Sequence, residues 1–318
     1  MVINFVGLFS QPSVTGEVSD ETHLAREIES LGNRVVRVPR DVWKACCDGH
    51  PANPDWVLPD HNADINIICK WNHFVDGSYV DELKKESGGA PVFYWVWDWM
   101  NEFDPNNWNW RMAKASDLYL TGEGGLVGKY RSVGIPAYYF QMDVCDGEIP
   151  TFANPDGIYK HDLIFTGSWF GKGNRQEYLK RINREFLVTV FSWNHKDWPS
   201  EFDARPAVYG EEYNLLISES MTVLGFNVEP NCYGYWSNRI GKVLRAGGHL
   251  LQEYAPGMEV LADENIEFFS SPEEAIEKIR SPKFTPTLHT YRFTSTSKAQ
   301  QLMVLVDRFI KKKESWII

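Results

Sequence analysis

Cysteine is scarce in this chain and poorly placed for cross-linking: five occur in 318 residues, at Cys46, Cys47, Cys69, Cys145 and Cys232. The number is odd, no CxxC pair occurs and no spacing suits a metal-ligand set. A disulfide scaffold is therefore excluded, and a reducing compartment is the simplest setting. The expectation is that no metal is required and no cofactor is tightly bound. Long apolar runs are missing too, since nothing approaches the ~20 residues of a membrane span. The first residues, MVINFVGLFSQ, have no basic segment, and their apolar run is too short for a signal peptide. A cytoplasmic protein without a transmembrane segment is expected. A basic surplus is also lacking: 32 Lys and Arg stand against 43 Asp and Glu, a net charge of −11. Most of the deficit lies in the first 155 residues, with 12 basic against 22 acidic side chains. Such a half disfavours nucleic acid, because duplex DNA is normally met by a clear basic surplus.

What is present is aromatic and alternating. Hydrophobic residues make up 43 % and charged residues 24 %, the mix of a globular protein, and 318 residues favour two domains over one core. Aromatics reach 14 %, with 13 Trp, an excess that offers broad stacking surfaces of the kind sugars bind. Apolar runs at Val2–Phe9, Arg34–Val38, Asp64–Cys69, Pro91–Val96, Asp117–Thr121 and Ala137–Gln141 read as strands. Helical spacing fills some of the intervals, as at Glu21–Leu31 and Val127–Ser132. The Pro-, Gly- and Asn-rich stretch Asp146–Lys160 suits a connection between domains. The pattern then restarts with strands at His161–Thr166, Leu187–Ser192, His249–Gln252 and Asn265–Phe269. Helices are read at Arg175–Phe186, Glu211–Leu224 and Ser237–Ala246, and a further start at Ser271-Pro272-Glu273-Glu274 combines a cap, an early Pro and two acids. Strands alternating with helices predict an α/β fold of two Rossmann-like domains with parallel sheets. Their expected extents are 1–150 and 151–293. A last helix and tail over 294–318 has a stripe of Ala299, Leu302, Val306 and Phe309, and is expected to cross between the domains. The tail's Lys311-Lys312-Lys313 and Trp316-Ile317-Ile318 suit either a solvated helix end or contact with an anionic membrane.

The most informative stretch is Tyr233–Tyr254, YGYWSNRIGKVLRAGGHLLQEY. Ser237 suits a helix cap and Ile240, Val243 and Leu244 form a buried stripe. Free backbone N–H groups, the positive helix end and Arg239 then meet in one place, a combination that fits a diphosphate. Taken alone, a capped helix with an early Arg is ordinary helix chemistry. The order of the parts adds more. Asn214-Leu215-Leu216-Ile217-Ser218-Glu219 is followed by Gly234-Tyr235-Trp236-Ser237-Asn238-Arg239, then Val243-Leu244, Ala246-Gly247-Gly248, Leu250-Leu251 and Tyr254-Ala255-Pro256-Gly257-Met258-Glu259. This resembles the group-1 type glycosyltransferases of the GT-B fold, in particular their spore-maturation-like branch, over roughly residues 160–280.

The resemblance implies transfer of a hexosyl or pentosyl group from a UDP- or GDP-sugar to a hydroxyl of a glycan, lipid, protein or hydroxymethylated DNA base. It implies that Ser237, Asn238 and Arg239 face the donor diphosphate, that Gly234 and Tyr235 form a loop against the nucleotide, and that Gly167, Ser168 and Arg175 flank the donor's other side. One departure matters. Where the family has an acidic residue that accepts the ribose hydroxyls, this chain has Lys242, and an ammonium cannot accept. Ribose recognition is then altered, or Glu253 supplies the carboxylate. On the acceptor side Asp98, between Trp97 and Trp99, is the first candidate for a general base, with an apolar setting expected to raise its pKa. His73 and Glu17 follow, because ligands of open α/β sheets bind in loops after strands. A sugar-nucleotide epimerase, a phosphorylase, or a nucleotide-sugar binding protein without turnover would use the same fold.

Overall fold

A computed structural model describes residues 1–9, 19–51, 53–98, 103–142, 158–169, 174–237, 239–261, 265–281 and 294–311. The positions Glu17 and Asn238, most of the Asp146–Lys160 stretch and the tail from Lys312 lie outside the described residues. The described chain forms two compact units, one holding residues up to 142 together with 295–311 and the other holding 158–294.

In the first unit the chain runs β1 (Val2–Gly7), α1 (Asp20–Ser30), β2 (Arg34–Pro39), α2 (Arg40–Cys47), β3 (Ile65–Cys69), α3 (Ser78–Glu86), β4 (Val92–Val96), α4 (Trp108–Ala115), β5 (Leu118–Thr121), α5 (Val127–Ser132) and β6 (Ala137–Tyr139). All pairings are parallel, in the order β2-β1-β3-β4-β5-β6. The winding direction changes between β1 and β3. The inner strands β3 and β4 are buried at every position, as strands of a parallel sheet covered on both faces are. Trp43, Trp95, Tyr94, Tyr119 and Tyr130 are among the largest fully buried side chains, so part of the aromatic excess is core. Asn109 threads a polar path through it, accepting from the Tyr94 hydroxyl at 2.8 Å and donating to Tyr119 Oη at 3.1 Å.

The second unit continues with β7 (His161–Thr166), α6 (Arg175–Asn183), β8 (Thr189–Ser192), β9 (Asp203–Pro206), α7 (Gly210–Ser218), β10 (Ser220–Gly225), α8 (Arg239–Arg245), β11 (Leu250–Glu253), β12 (Ile266–Phe269) and α9 (Pro272–Arg280). Its sheet is also parallel, ordered β12-β11-β10-β7-β8-β9, with the change of direction between β7 and β10. The chain thus has an α/β fold of two six-stranded Rossmann-like sheets. Ser271 caps α9 by accepting from Glu274 N–H at 3.2 Å, with Pro272 in the first turn.

Glu211–Leu224 is not the single helix its spacing predicts: α7 stops at Ser218 and residues 220–225 form β10, a strand at the centre of the second sheet. The hydroxyls of Ser218 and Ser220 donate back to the carbonyls of Leu215 and Leu216, at 2.9 and 2.6 Å, and close the helix end without Gly or Pro. Helices α2, α3 and α4 and edge strand β9 are further elements that the spacing did not disclose.

The last helix, α10 (Ser295–Lys311), belongs to the first unit. It buries Ala299, Leu302, Leu305 and Val306, packs on α1, and sets Phe309 edge-on to Phe93 with ring centroids 5.0 Å apart.

Candidate functional site

Ligands of open α/β sheets sit outside the carboxyl ends of the strands where the winding direction changes. In the second unit that point is the end of β7. Gly167 follows it with φ 154°, and a Cβ there would lie 2.9 Å from Phe165 Cζ and 3.4 Å from Arg239 Nη2. A side chain at 167 would therefore collide with the Phe165 ring.

Two guanidiniums meet at Phe165. Arg175, the first residue of α6, and Arg239, the first of α8, each place Cζ 5.9 Å from the centroid of that one ring. Arg175 is buried, and its pKa is pulled down to about 10, first by burial and then by the charge of Arg239. Two like charges held together in a partly dehydrated place are stabilised by an anion between them. Ser237 Oγ accepts from the Arg239 N–H at 3.3 Å and so fixes the first turn of α8. Lys242 lies one turn further along α8, on the face it shares with Arg239.

Arg239 and Lys242 both line a cleft of about 230 Å³. Its walls come from the ends of β7 and β8 and the loops after β7, β8 and β9: Thr166 and Gly167, then Ser192 and Trp193, then Tyr209, with Tyr213 of α7. The Thr166 and Tyr213 hydroxyl oxygens are 3.4 Å apart. Trp193 is 70 % exposed, an indole left open to a planar partner. Two cations at one wall and aromatic rings at the others suit a molecule with a phosphate end and a flat end.

Gly234 and Tyr235 lie in the buried loop before α8. The Gly234 N–H donates to the Pro256 carbonyl at 2.8 Å, and a Cβ on Gly257 would stand 3.1 Å from Gly234 N, so the two loops touch through backbone. Glu253, at the end of β11, is buried beside Arg175. Burial raises its pKa to about 7, against the opposing pull of the Asn227 N–H and of Arg175. Ser168 is half-buried in the loop after β7.

In the first unit, Asp98 follows β4 as expected but is exposed, and its carboxylate pairs with Lys70 Nζ at 2.7 Å. The described residues leave its side chain 58 % exposed and do not form the apolar enclosure expected of it. His73 is exposed, with its ring 4.7 Å from that of Trp71. A carboxyl that spacing did not single out lies at the β1/β3 change of direction. Glu21, in the first turn of α1, is buried, accepts from the Leu8 N–H at 3.4 Å, and has its pKa raised to about 7, chiefly by burial. Trp193, Tyr209, Tyr213 and Asn227 were missed as well. Trp193 carries a signal, because it follows an apolar strand, whereas the other three need the strand order to be placed. Among the described residues no three His, Cys, Asp or Glu side chains are grouped to hold a metal ion. No helix among them is long and apolar enough to cross a membrane.

Residues 174–290 match a family described as glycosyl transferase-like, a span that takes in Arg175, Arg239, Lys242 and Glu253. No curated protein matches the chain. Several solved structures share its fold from end to end. AviGT4, a glycosyltransferase involved in avilamycin A biosynthesis, is 11 % identical with a TM-score of 0.55, over 98 % of each chain. The apo form of the lipopolysaccharide outer core galactosyltransferase WaaB is 12 % identical with a TM-score of 0.52, over 99 % of this chain and 100 % of that one. An α-glucosyltransferase in complex with UDP and a 13-mer DNA containing an HMU base is 12 % identical with a TM-score of 0.51, over 98 % and 93 %. Identities this low establish fold, and the chain has the two-domain GT-B-like fold of these glycosyltransferases, with a glycosyl transferase-like segment at residues 174–290.

Proposed function

We propose that the protein transfers a glycosyl group from a nucleoside-diphosphate sugar, a UDP- or GDP-sugar, to a hydroxyl acceptor, and that the donor binds in the second unit. The observation that carries this reading is the pair of guanidiniums on Phe165 beside an aromatic cleft that Arg239 and Lys242 line. The nucleoside lies among Trp193, Tyr209 and Tyr213, and the diphosphate on Arg239 with Arg175 behind it. The glycosyl transferase-like match over the same residues supports it, as does the resemblance of the Tyr233–Tyr254 stretch to the spore-maturation-like branch.

In the reaction, the bond from the sugar's anomeric carbon to the β-phosphate oxygen breaks and the acceptor oxygen bonds to that carbon. The acceptor proton goes to a base or to the departing phosphate. Negative charge grows on the leaving diphosphate, so preorganised guanidiniums stabilise the transition state more than the ground state. Where a base is needed, Asp98 is the candidate of the first unit, its carboxylate oriented by Lys70. The acidic first half favours a neutral hydroxyl acceptor over a polyanion. The four described cysteines are free thiols, which suits a cytoplasmic enzyme.

The test is to incubate the protein with UDP-glucose, UDP-galactose, UDP-N-acetylglucosamine and GDP-mannose, and follow nucleoside diphosphate release with and without hydroxyl acceptors. Release that depends on both donor and acceptor is expected. Interconversion of donor sugars without an acceptor would show an epimerase instead.

A further inference from the structure

Next to the arginine pair the second unit buries two oxygen acceptors that nothing among the described residues satisfies. Glu253 Oε2 and Asn227 Oδ1 each have no hydrogen-bond partner there, and the two side chains are 4 % and 1 % exposed. Glu253 ends β11 and Asn227 lies just past the carboxyl end of β10, the adjacent parallel strand at the change of direction. Buried polar atoms are almost always satisfied, and leaving one unpaired carries a desolvation penalty. The surroundings hold both groups in place. The Asn227 amide donates to the Glu253 carbonyl at 3.3 Å and to Met258 Sδ at 3.5 Å, and the Asn227 N–H pulls on the Glu253 carboxylate.

The chemistry of the pair limits its occupant. With Glu253 ionised, the two oxygen acceptors repel phosphate, which brings only more acceptors. The neighbouring Arg175 guanidinium repels a metal cation. What remains is a neutral ligand rich in O–H donors. The sequence of neighbours gives it a place. Arg239 lines the aromatic cleft, Arg175 is next to Arg239, and Glu253 is next to Arg175. A nucleoside-diphosphate sugar has the same order of parts: flat base, phosphates, then a ring of hydroxyls.

We propose that Glu253 and Asn227 form the subsite that reads the hydroxyls of the transferred sugar, with Glu253 accepting from them. The assignment rests on the reading of the arginine pair as the donor diphosphate site, and it separates Glu253 from the ribose role that the loss of an acid at Lys242 first suggested. Sugar specificity is then set at the ends of β10 and β11, apart from the nucleoside cleft.

Calorimetric titration of free UDP and GDP, and of UDP-glucose, UDP-galactose, UDP-N-acetylglucosamine and GDP-mannose, tests both layers. In Glu253→Gln, which keeps size and fold, the affinity of the preferred conjugate should fall tenfold or more while that of its free nucleotide stays within twofold. Unchanged binding of the free nucleotide also shows that the variant is folded. Asn227→Asp, also isosteric, should alter the conjugate alone in the same way. Equal effects on conjugate and free nucleotide would place Glu253 at the ribose or phosphates and overturn the subsite, as would no effect on any conjugate. If the wild type binds neither UDP nor GDP, the donor-site reading itself fails and the subsite with it.

Discussion

Replacing Glu21 by Gln should stabilise the protein above neutral pH and leave it nearly unchanged in mild acid. Burial raises the Glu21 carboxyl from the ordinary 4.5 to about 7. The unfolded chain releases this proton near 4.5 and the folded chain only near 7, so between those values the folded state binds more protons. Stability from this group is therefore whole below about pH 4.5 and is lost as pH rises to about 7. A displacement of roughly 2.5 units at 1.36 kcal/mol per unit is about 3 kcal/mol when complete, of which about 2–3 kcal/mol falls between pH 5 and pH 8. Gln keeps the oxygen that accepts from the Leu8 N–H and does not titrate. Urea unfolding followed by tryptophan fluorescence at pH 5 and pH 8, on both proteins, isolates Glu21, because other titrating groups, Glu253 among them, cancel in the difference. The variant should gain about 2–3 kcal/mol on the wild type at pH 8 relative to pH 5. Parallel pH profiles would show that Glu21 is not held protonated, and would remove the case for a buried, proton-holding carboxyl at the first sheet's change of direction.

Lys242→Glu should shift donor preference among the UDP- and GDP-sugars, because it replaces a donor-only ammonium on the cleft wall with an acceptor; an unchanged affinity profile by calorimetry would remove Lys242 from donor recognition. Gly248→Ala should cost about 1–3 kcal/mol in urea unfolding, since its Cβ would stand 2.4 Å from Ile217 Cγ2 and 3.0 Å from Val243 Cγ1; a neutral result would mean that α7 and α8 part more easily than their packing suggests. Arg239→Lys should recover only part of the turnover lost in Arg239→Ala, because one ammonium cannot copy a two-pronged contact; full recovery in steady-state rates would reduce Arg239 to a point charge.

The parts of the site carried by local spacing were legible in the sequence. Arg239 and Lys242 are three residues apart on one short helix, Gly167 directly follows an apolar run, and Ser271-Pro272 announces α9. The strand at the centre of the second sheet was not, because Leu216, Ile217 and Leu224 keep helical spacing through the turn at Glu219. That turn is made by two serine hydroxyls rather than by Gly or Pro. Without β10 the nearness of Asn227 to Glu253 could not be seen, since it depends on β10 lying beside β11. Strand β9 hid behind its terminal Pro206, tolerable only at a sheet edge, and with it the position of Tyr209 on the cleft. The setting of Asp98 was hidden for a related reason: two flanking tryptophans suggest enclosure, but its ion-pair partner Lys70 directly follows the neighbouring strand β3.

The proposed donor site of the second unit holds the diphosphate on Arg239. Binding of UDP and GDP to the wild type and to Arg239→Ala, measured by calorimetry beside turnover with the preferred donor, tests it most directly. Diphosphate binding should weaken at least tenfold in the variant and turnover should fall ~10²-fold or more, the loss expected on removing one preorganised donor from a developing charge. A folded Arg239→Ala protein that binds nucleoside diphosphates and turns over like the wild type would contradict the account.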